Sequence, residues 1–396
     1  MPTVIAIGFS QADDVSEAAH QAAVAAKNQL NSIATDLVVI FASIHYAKPE
    51  ILEVIHTILK PVKLVGASTA GVILSNGIFT RGLAILAINS DSMAFGIGAA
   101  VYGPDQDLSQ IGFELGRRLT SDYKSSQSRR ASIILCEGLF QNVSQLIPGI
   151  QNVLGQGSPI MGGCACDDFK LQRTYQFYQK QLFSNAAIGF VIGSRAPVHL
   201  SSQHGFKPLG KPRLITQTEN NVIRTIDGKP AFEIYVQYLK EEAQNLKKGV
   251  FNSPVMFYPL GLYSENLHQY LLRYPVDILT DGSIVCQADI PSNAEVHLTI
   301  SNKDSLKNAA MAAAQEIKDA LSGRSARLIV IFESMLRYRS LGSHSMLELQ
   351  VIEEILGYSI PVIGMCTFGE IVPLGLNAGL AGTYLQNGSL LLLAIS

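Results

Sequence analysis

The chain has 396 residues, of which 47% are hydrophobic and only 16% charged, and its net charge is −2. No Lys or Arg stripe stands out, which argues against a nucleic-acid surface, and no apolar run reaches the ~18–20 residues of a membrane span. A chain this long buries about three quarters of its unfolded surface, so it needs neither metal nor disulfide to hold together; the low charge predicts further burial between domains or subunits.

In chain order, the first elements are a strand at Val4–Gly8, a helix at Asp14–Leu30, a strand at Asp36–Ala42, a helix at Pro49–Leu59 and a strand at Val62–Gly66. The strands are short runs of Val, Ile, Leu and Phe bounded by turn residues. The first helix is Ala-rich, which favours helix intrinsically, and Ala18, Ala22, Val24, Ala25 and Leu30 recur near a helical period. Pro49 stands at an element start, where Pro is tolerated. The same order returns as strand Met93–Val101, helix Asp107–Leu119, strand Ala131–Leu135, helix Val143–Leu154 and strand Pro159–Gly162. Asp107, with Gln110 three residues on, reads as an N-cap. A third copy runs strand Glu295–Ile300, helix Ser305–Leu321, strand Arg327–Phe332, helix Met346–Leu356 and strand Pro361–Gly364.

Each copy adds one more apolar strand, at Leu83–Ile88, Ala186–Ile192 and Leu390–Ile395. The register is close: Asp36-Leu-Val-Val-Ile-Phe-Ala-Ser43 matches Arg327-Leu-Ile-Val-Ile-Phe-Glu-Ser334. Cys136 falls at the position of Phe41 and Phe332, a core position. The third copy is longer around Arg337–Ser345, which reads as a polar loop. The expected fold is α/β, with internally repeated strand-helix-strand-helix-strand units forming layered mixed sheets covered by helices. Residues 195–290 depart from the repeat and read as strands, a helix at Ala231–Leu246, then strands. Pro208–Asn220 is the expected linker, dividing residues 1–210 from residues 211–396.

In all three copies the last strand of the unit breaks into small residues: Gly66-Ala-Ser-Thr-Ala-Gly71, Gly162-Gly-Cys-Ala-Cys-Asp-Asp168 and Gly364-Met-Cys-Thr-Phe-Gly-Glu370. Small residues there let a ligand approach the backbone, and ligands in open α/β sheets bind at the carboxyl ends of strands. The loops are expected to converge on one pocket, with Ser68, Thr69, Gly71, Gly163, Cys164, Asp167, Cys366, Thr367 and Glu370 as candidate ligand-binding residues. The alternative is that Gly66, Gly162 and Gly364 only permit tight turns between packed layers. Cys164, Cys366 and Ser68 are equivalent, but no His lies in the loops to activate a thiol, so no catalytic residue is assigned. Cys164-x-Cys166 lacks the further ligands of a zinc site. Arg337 and Glu370 are expected to flank one opening and to select a zwitterion such as an amino acid, the alternative being an internal ion pair. Phosphate-binding Gly motifs are absent, and no cofactor is expected.

The chain begins Met1-Pro2-Thr3-Val4, without the basic and apolar stretches of a signal peptide, and its five cysteines form no disulfide framework. A cytoplasmic protein with reduced thiols is expected.

At these loops the chain resembles the FIST family, named for F-box and intracellular signal transduction proteins. Its first half is similar to the FIST N module in Phe41-Ala-Ser43, Leu64–Gly71 and Pro159–Asp167. Its second half is similar to FIST C in Val222–Ala231, Pro259-Leu-Gly261, Tyr270-Leu-Leu-Arg273, Asp281-Gly-Ser283, Pro361–Glu370 and Gln386-Asn387. It departs from the family at Ser334-Met-Leu-Arg337, where Cys-x-x-Arg is usual, at Val72, where an acid is common, and in carrying Cys164 and Cys166. The resemblance implies a sensory module for a small ligand, amino acids included, acting through a signalling protein partner. The other readings are a Cys-dependent enzyme acting on a small amide or amino acid, and an interaction scaffold without ligand.

Overall fold

The computed structural model describes residues 3–30, 35–139, 142–240, 243, 254–374 and 382–396, and among these the strands form four sheets. The first is ordered Val4–Ser10, Leu83–Asn89, Thr35–Ser43, Pro61–Thr69, Gln176–Tyr178, Gln181–Phe183. The second is ordered Met93–Val101, Ala186–Ser194, Arg129–Cys136, Ile160–Cys164, Glu370–Leu374, Gly382–Gln386. The third is ordered Val198–Gln203, Leu390–Ile395, Leu328–Ser334, Val362–Thr367, Val72–Leu74, Gly77–Phe79. In each, the third and fourth strands are the parallel pair, and every other neighbour is antiparallel. The parallel pairs are those joined by the helices Pro49–Leu59, Leu146–Leu154 and Met346–Leu356, as parallel pairing requires. No helix among the described residues is long and apolar enough to cross a membrane.

Each of these three sheets is completed by a hairpin from another copy. The hairpin of copy one, Val72–Phe79, adds to copy three's strand Val362–Thr367. The paired strands Glu370–Leu374 and Gly382–Gln386 of copy three add to copy two's Ile160–Cys164. The hairpin of copy two, Gln176–Phe183, adds to copy one's Pro61–Thr69. The exchange closes a ring.

The third copy differs from the sequence expectation. Glu295–Ile300 is a strand but pairs in the fourth sheet, with Lys207–Glu219 and Leu260–Ser264. The strand that opens copy three is Val198–Gln203, paired with Leu390–Ile395. The fourth sheet is therefore an insertion between that strand and its helix, Lys303–Leu321. The expected linker Pro208–Asn220 is most of the strand Lys207–Glu219, which crosses positions 210 and 211. Gly210 and Pro212 fall within a register break between Leu209 and Arg213, where Gly210 takes φ +77°, while Pro208 pairs with Thr299. The expected loop Arg337–Ser345 is largely helical, Met335–Leu341 and then a turn at Gly342–His344, because Met335, Leu336, Arg337 and Leu341 bury inward. The expected helix Ala231–Leu246 is seen as Glu233–Leu239, ending where Lys240 turns to φ +49°, and residues 241–242 and 244–246 lie outside the described residues.

Register also places Cys136 one residue away from its expected equivalents. Ile40, Ile134 and Ile331 face Gly66, Gly162 and Gly364, so Leu135 matches Phe41 and Phe332, while Cys136 matches Ala42 and Glu333. It is buried all the same.

Both faces of the repeat sheets are covered, which explains strands that read as unbroken apolar runs. Val38, Ile40 and Ala42 pack under the helices Val15–Leu30 and Pro49–Leu59, while Leu37, Val39 and Phe41 turn to a shared interior. There they meet Ile133 and Leu135 of copy two and Val330 and Phe332 of copy three. The Phe41 and Phe332 rings contact edge to face, 6.2 Å between centroids. Burial between repeats thus accounts for the low charge content.

Candidate functional site

The three small-residue loops meet, joined by backbone hydrogen bonds that run between every pair. Cys166 N donates to Ser68 O at 3.0 Å, Cys366 N to Gly71 O at 2.8 Å, and Cys164 N to Gly369 O at 2.8 Å. The side chains reinforce this belt. Ser68 Oγ donates to Cys166 O and accepts Tyr175 N, and Thr69 Oγ1 donates to Cys366 O and Gly71 O. The glycines are packed too tightly for a ligand to reach them. A Cβ on Gly66, Gly162 or Gly364 would stand 2.2, 1.9 or 2.2 Å from the carbonyl oxygen of Ile40, Ile134 or Ile331. One on Gly163 would meet Thr367 Cγ2 at 2.3 Å.

The cavity lies beside this belt. It measures about 270 Å³ and is lined by Gly138, Leu139, Phe169 and Leu171 from copy two, and by Ser334, Met335, Leu336, Thr367 and Phe368 from copy three. The inserted segment closes it with Met256, Tyr274, Val276, Asp277 and Gln287, and Asn387 completes the wall. Of the ten candidate residues only Thr367 lines this space. Ser68, Thr69, Gly71, Gly163, Cys164 and Cys366 stand in the belt behind it. Asp167 spends its carboxylate on the backbone N–H groups of Leu171, Gln172 and Arg173 at 3.1, 2.8 and 3.4 Å. That clamp holds a turn in which Phe169 and Leu171 adopt φ +66° and +52°, unusual for bulky residues, and both side chains line the cavity.

Arg337 and Glu370 do not flank the opening; both are fully buried. Arg337 pairs with Glu348 and donates to the carbonyls of His204 and Leu306. Behind it, burial and the Glu348 carboxylate raise the Glu333 carboxyl well above its ordinary range, and Glu333 Oε1 and Glu348 Oε2 are both buried without a donor among the described residues. A proton on Glu333 satisfies both. Burial likewise raises Glu370 to about 8, so at neutral pH it is mostly protonated. Its Oε1 lies 2.6 Å from Thr367 Oγ1, and Oε2 accepts Ser389 N at 2.9 Å. Thr367 Oγ1 lies 3.1 Å from Glu333 O, so a protonated Glu370 donates to Thr367, whose own hydroxyl donates to that carbonyl. His204, half-buried beside Arg337, is depressed to about 4 by desolvation and by the Arg337 charge.

The thiols are poor nucleophiles. All five cysteines are free and buried, and burial pushes Cys166 and Cys366 well up. Cys164 is raised too, by its hydrogen bond to Cys136, 3.4 Å away, and by burial. Among the described residues no group of three or more His, Cys, Asp or Glu is placed to hold a metal ion.

The residues sequence reasoning missed as site members come from segments far apart in the chain. Tyr274 N donates to Asn387 Oδ1 at 2.9 Å, Leu272 N to Gln386 Oε1 at 3.0 Å, and Arg273 to the Leu385 carbonyl. The segments Tyr270–Arg273 and Gln386-Asn387, which carried part of the family resemblance, are thus physical partners that tie the inserted sheet to copy three.

Comparison with known proteins agrees. The FIST N domain matches residues 36–229 and the FIST C domain residues 231–373. The chain belongs to the FIST family. FIST domains are associated with sensory signal transduction. An uncharacterized protein of Mycobacterium tuberculosis is 21% identical over 393 residues, 96% of this chain and 97% of that protein. An uncharacterized protein of Methanocaldococcus jannaschii is 32% identical over 94 residues, covering 23% of this FIST chain and 18% of its own length. Among solved structures, cyanuric acid hydrolase from A. caulinodans aligns over 99% of both chains at 9% identity, with a TM-score of 0.40.

Proposed function

We propose that this FIST protein is a small-ligand sensor whose ligand occupies the cavity between copy two, copy three and the inserted sheet. The observation that carries this reading is the composition of the wall. Leu139, Phe169 and Leu171 belong to the FIST N match, and Gln287, Ser334 and Phe368 to the FIST C match. A ligand there touches both modules and stabilises their apposition. A ligand-dependent surface for a signalling protein partner follows from that coupling. The wall is mostly apolar with a few buried polar groups, as in small-molecule sites. Its charged member, Asp277, is exposed, which favours a neutral ligand over a zwitterion held by Arg337 and Glu370. The raised thiols speak against a Cys-dependent enzyme, and five free cysteines support residence in a reducing compartment such as the cytoplasm.

A thermal-shift screen of metabolites, amino acids included, tests this, because a ligand that binds the native state raises its melting temperature. Val276→Trp, at the half-buried wall, should abolish the shift while leaving the protein's own melting unchanged. A compound that stabilises both forms equally binds elsewhere and overturns the reading.

A further inference from the structure

We infer that Gln287 is the specificity-determining residue of this cavity, and that it selects a ligand bearing a neutral donor–acceptor edge such as a primary carboxamide or lactam. The inference rests on the ligand-site reading above and names what that site recognises.

The argument begins at a backbone group. Tyr274 N–H donates to Asn387 at 2.9 Å, so the atom it meets must be the amide oxygen. That fixes the Asn387 nitrogen, which donates to Gln287 at 2.6 Å and to Phe368 O at 3.3 Å. The Gln287 atom receiving that bond must in turn be its oxygen, and its nitrogen then donates to Gly138 O at 3.4 Å. The orientation of both amides follows from one main-chain donor, without freedom to flip.

Asn387 is then fully used as a donor. Gln287, among the described residues, is not. A primary amide carries two N–H donors and two oxygen lone pairs; the bonds to Asn387 and Gly138 take one of each. That leaves one N–H and one oxygen lone pair of the same amide group, on a residue only 6% exposed that lines the cavity. Gly369 makes room for this pair of amides: a Cβ there would stand 3.2 Å from Gln287 Nε2 and 3.4 Å from Asn387 Nδ2. A buried polar edge left unmet costs more than a made hydrogen bond returns, so the site discriminates against a ligand lacking the matching edge. A carboxylate supplies acceptors alone and would set an anion against the Gln287 oxygen. A carboxamide supplies one donor and one acceptor. Its apolar body would lie among Phe169, Met335, Leu336 and Phe368.

The probes are benzamide, benzoate and toluene, with affinities measured by ligand-observed NMR on the whole chain. The wild type should bind benzamide at least tenfold more tightly than benzoate or toluene. In Gln287→Met the preference over toluene should fall below twofold; Gln287→Glu, closer in shape, should also lose it, and melting curves would confirm that both variants fold. Equal affinities in the wild type, a preference for benzoate, or a benzamide preference that survives in both variants overturns the assignment. Val276→Trp separates the two levels. If benzamide binding persists in it, the cavity reading itself fails; if binding of all three probes is lost, the cavity stands and the Gln287 variants decide the inference.

Discussion

Glu370 and Gln176 hold equivalent places in two repeats: Glu370 sits in register with Gly163, Gln176 with Ala67, and each accepts a backbone N–H at the start of its own repeat's last strand, from Ser389 at 2.9 Å and Ala186 at 3.2 Å. One repeat thus uses an amide where another uses a carboxyl, and the first copy has Val72.

The equivalence predicts the behaviour of Glu370→Gln. The folded carboxyl titrates at about 8, whereas an unfolded glutamate titrates near ~4.3. A raised carboxyl pKa means that the native state keeps a proton which the unfolded state releases. Stability from this group is therefore greatest in acid and falls as pH rises toward 8, by on the order of 1 kcal/mol per pH unit, and levels off above. Gln keeps the donor and acceptor without that loss. The variant should match the wild type near pH 4 and exceed it increasingly up to about pH 8 in urea melts. A variant less stable than wild type at pH 8 would mean that the buried carboxyl is ionised.

The repeat's inner geometry was legible in the sequence because matched apolar runs and small-residue loops carry a local signal. Ser68, Cys164 and Cys366 are equivalent as expected, and their loops converge. What was illegible is pairing between distant segments. Val198–Gln203 has four polar residues in six and lies about a hundred residues from its helix. Glu295–Ile300 stands directly before that helix and reads more strongly as its strand, although it pairs elsewhere. The exchanged hairpins contain strands of three residues, such as Val72–Leu74, too short to show a period. The cavity wall was missed for the same reason. Gly138, Gln287 and Asn387 come together only through the insertion.

Arg337→Met should be strongly destabilising, since it strands Glu348 and the Glu333 carboxyl in the interior without their cation. Removing one partner of a buried ion pair costs ~3–5 kcal/mol. Adding Glu348→Leu should recover much of the loss, as an apolar pair of similar size often does. Thermal melts of both variants decide it. An Arg337→Met protein that melts like the wild type would return Arg337 to the candidate ligand residues.

The thiols should be silent in the native state. Each is buried, and the shifts of Cys164, Cys166, Cys286 and Cys366 are all upward, that of Cys286 to about 12. The thiolate is the reactive form. Iodoacetamide near neutral pH should label none of the five quickly, while denatured, unreduced protein should titrate as five free thiols. Rapid alkylation of Cys164 or Cys366 alone would revive the enzyme reading.

The ring of exchanged hairpins makes a prediction about the two halves. Residues 1–210 contain the hairpin Val72–Phe79, whose partner strand Val362–Thr367 lies in the other half. They also contain Val198–Gln203, whose partner is Leu390–Ile395. Residues 211–396 contain the hairpin strand Glu370–Leu374, whose partner is Ile160–Cys164. A cut at 210 therefore leaves unpaired strand edges on both fragments and splits the shared interior where Phe41 meets Phe332. Exposed apolar edges of this kind drive aggregation. Each fragment made alone should aggregate or lack a cooperative melt, whereas the two made together should assemble into a particle that melts once, like the intact chain. Calorimetry and size-exclusion chromatography of the separate and co-expressed halves test this. A soluble fragment 1–210 with its own sharp transition would show that copies one and two close without copy three, and that the exchanged strands contribute little to holding the sheets together.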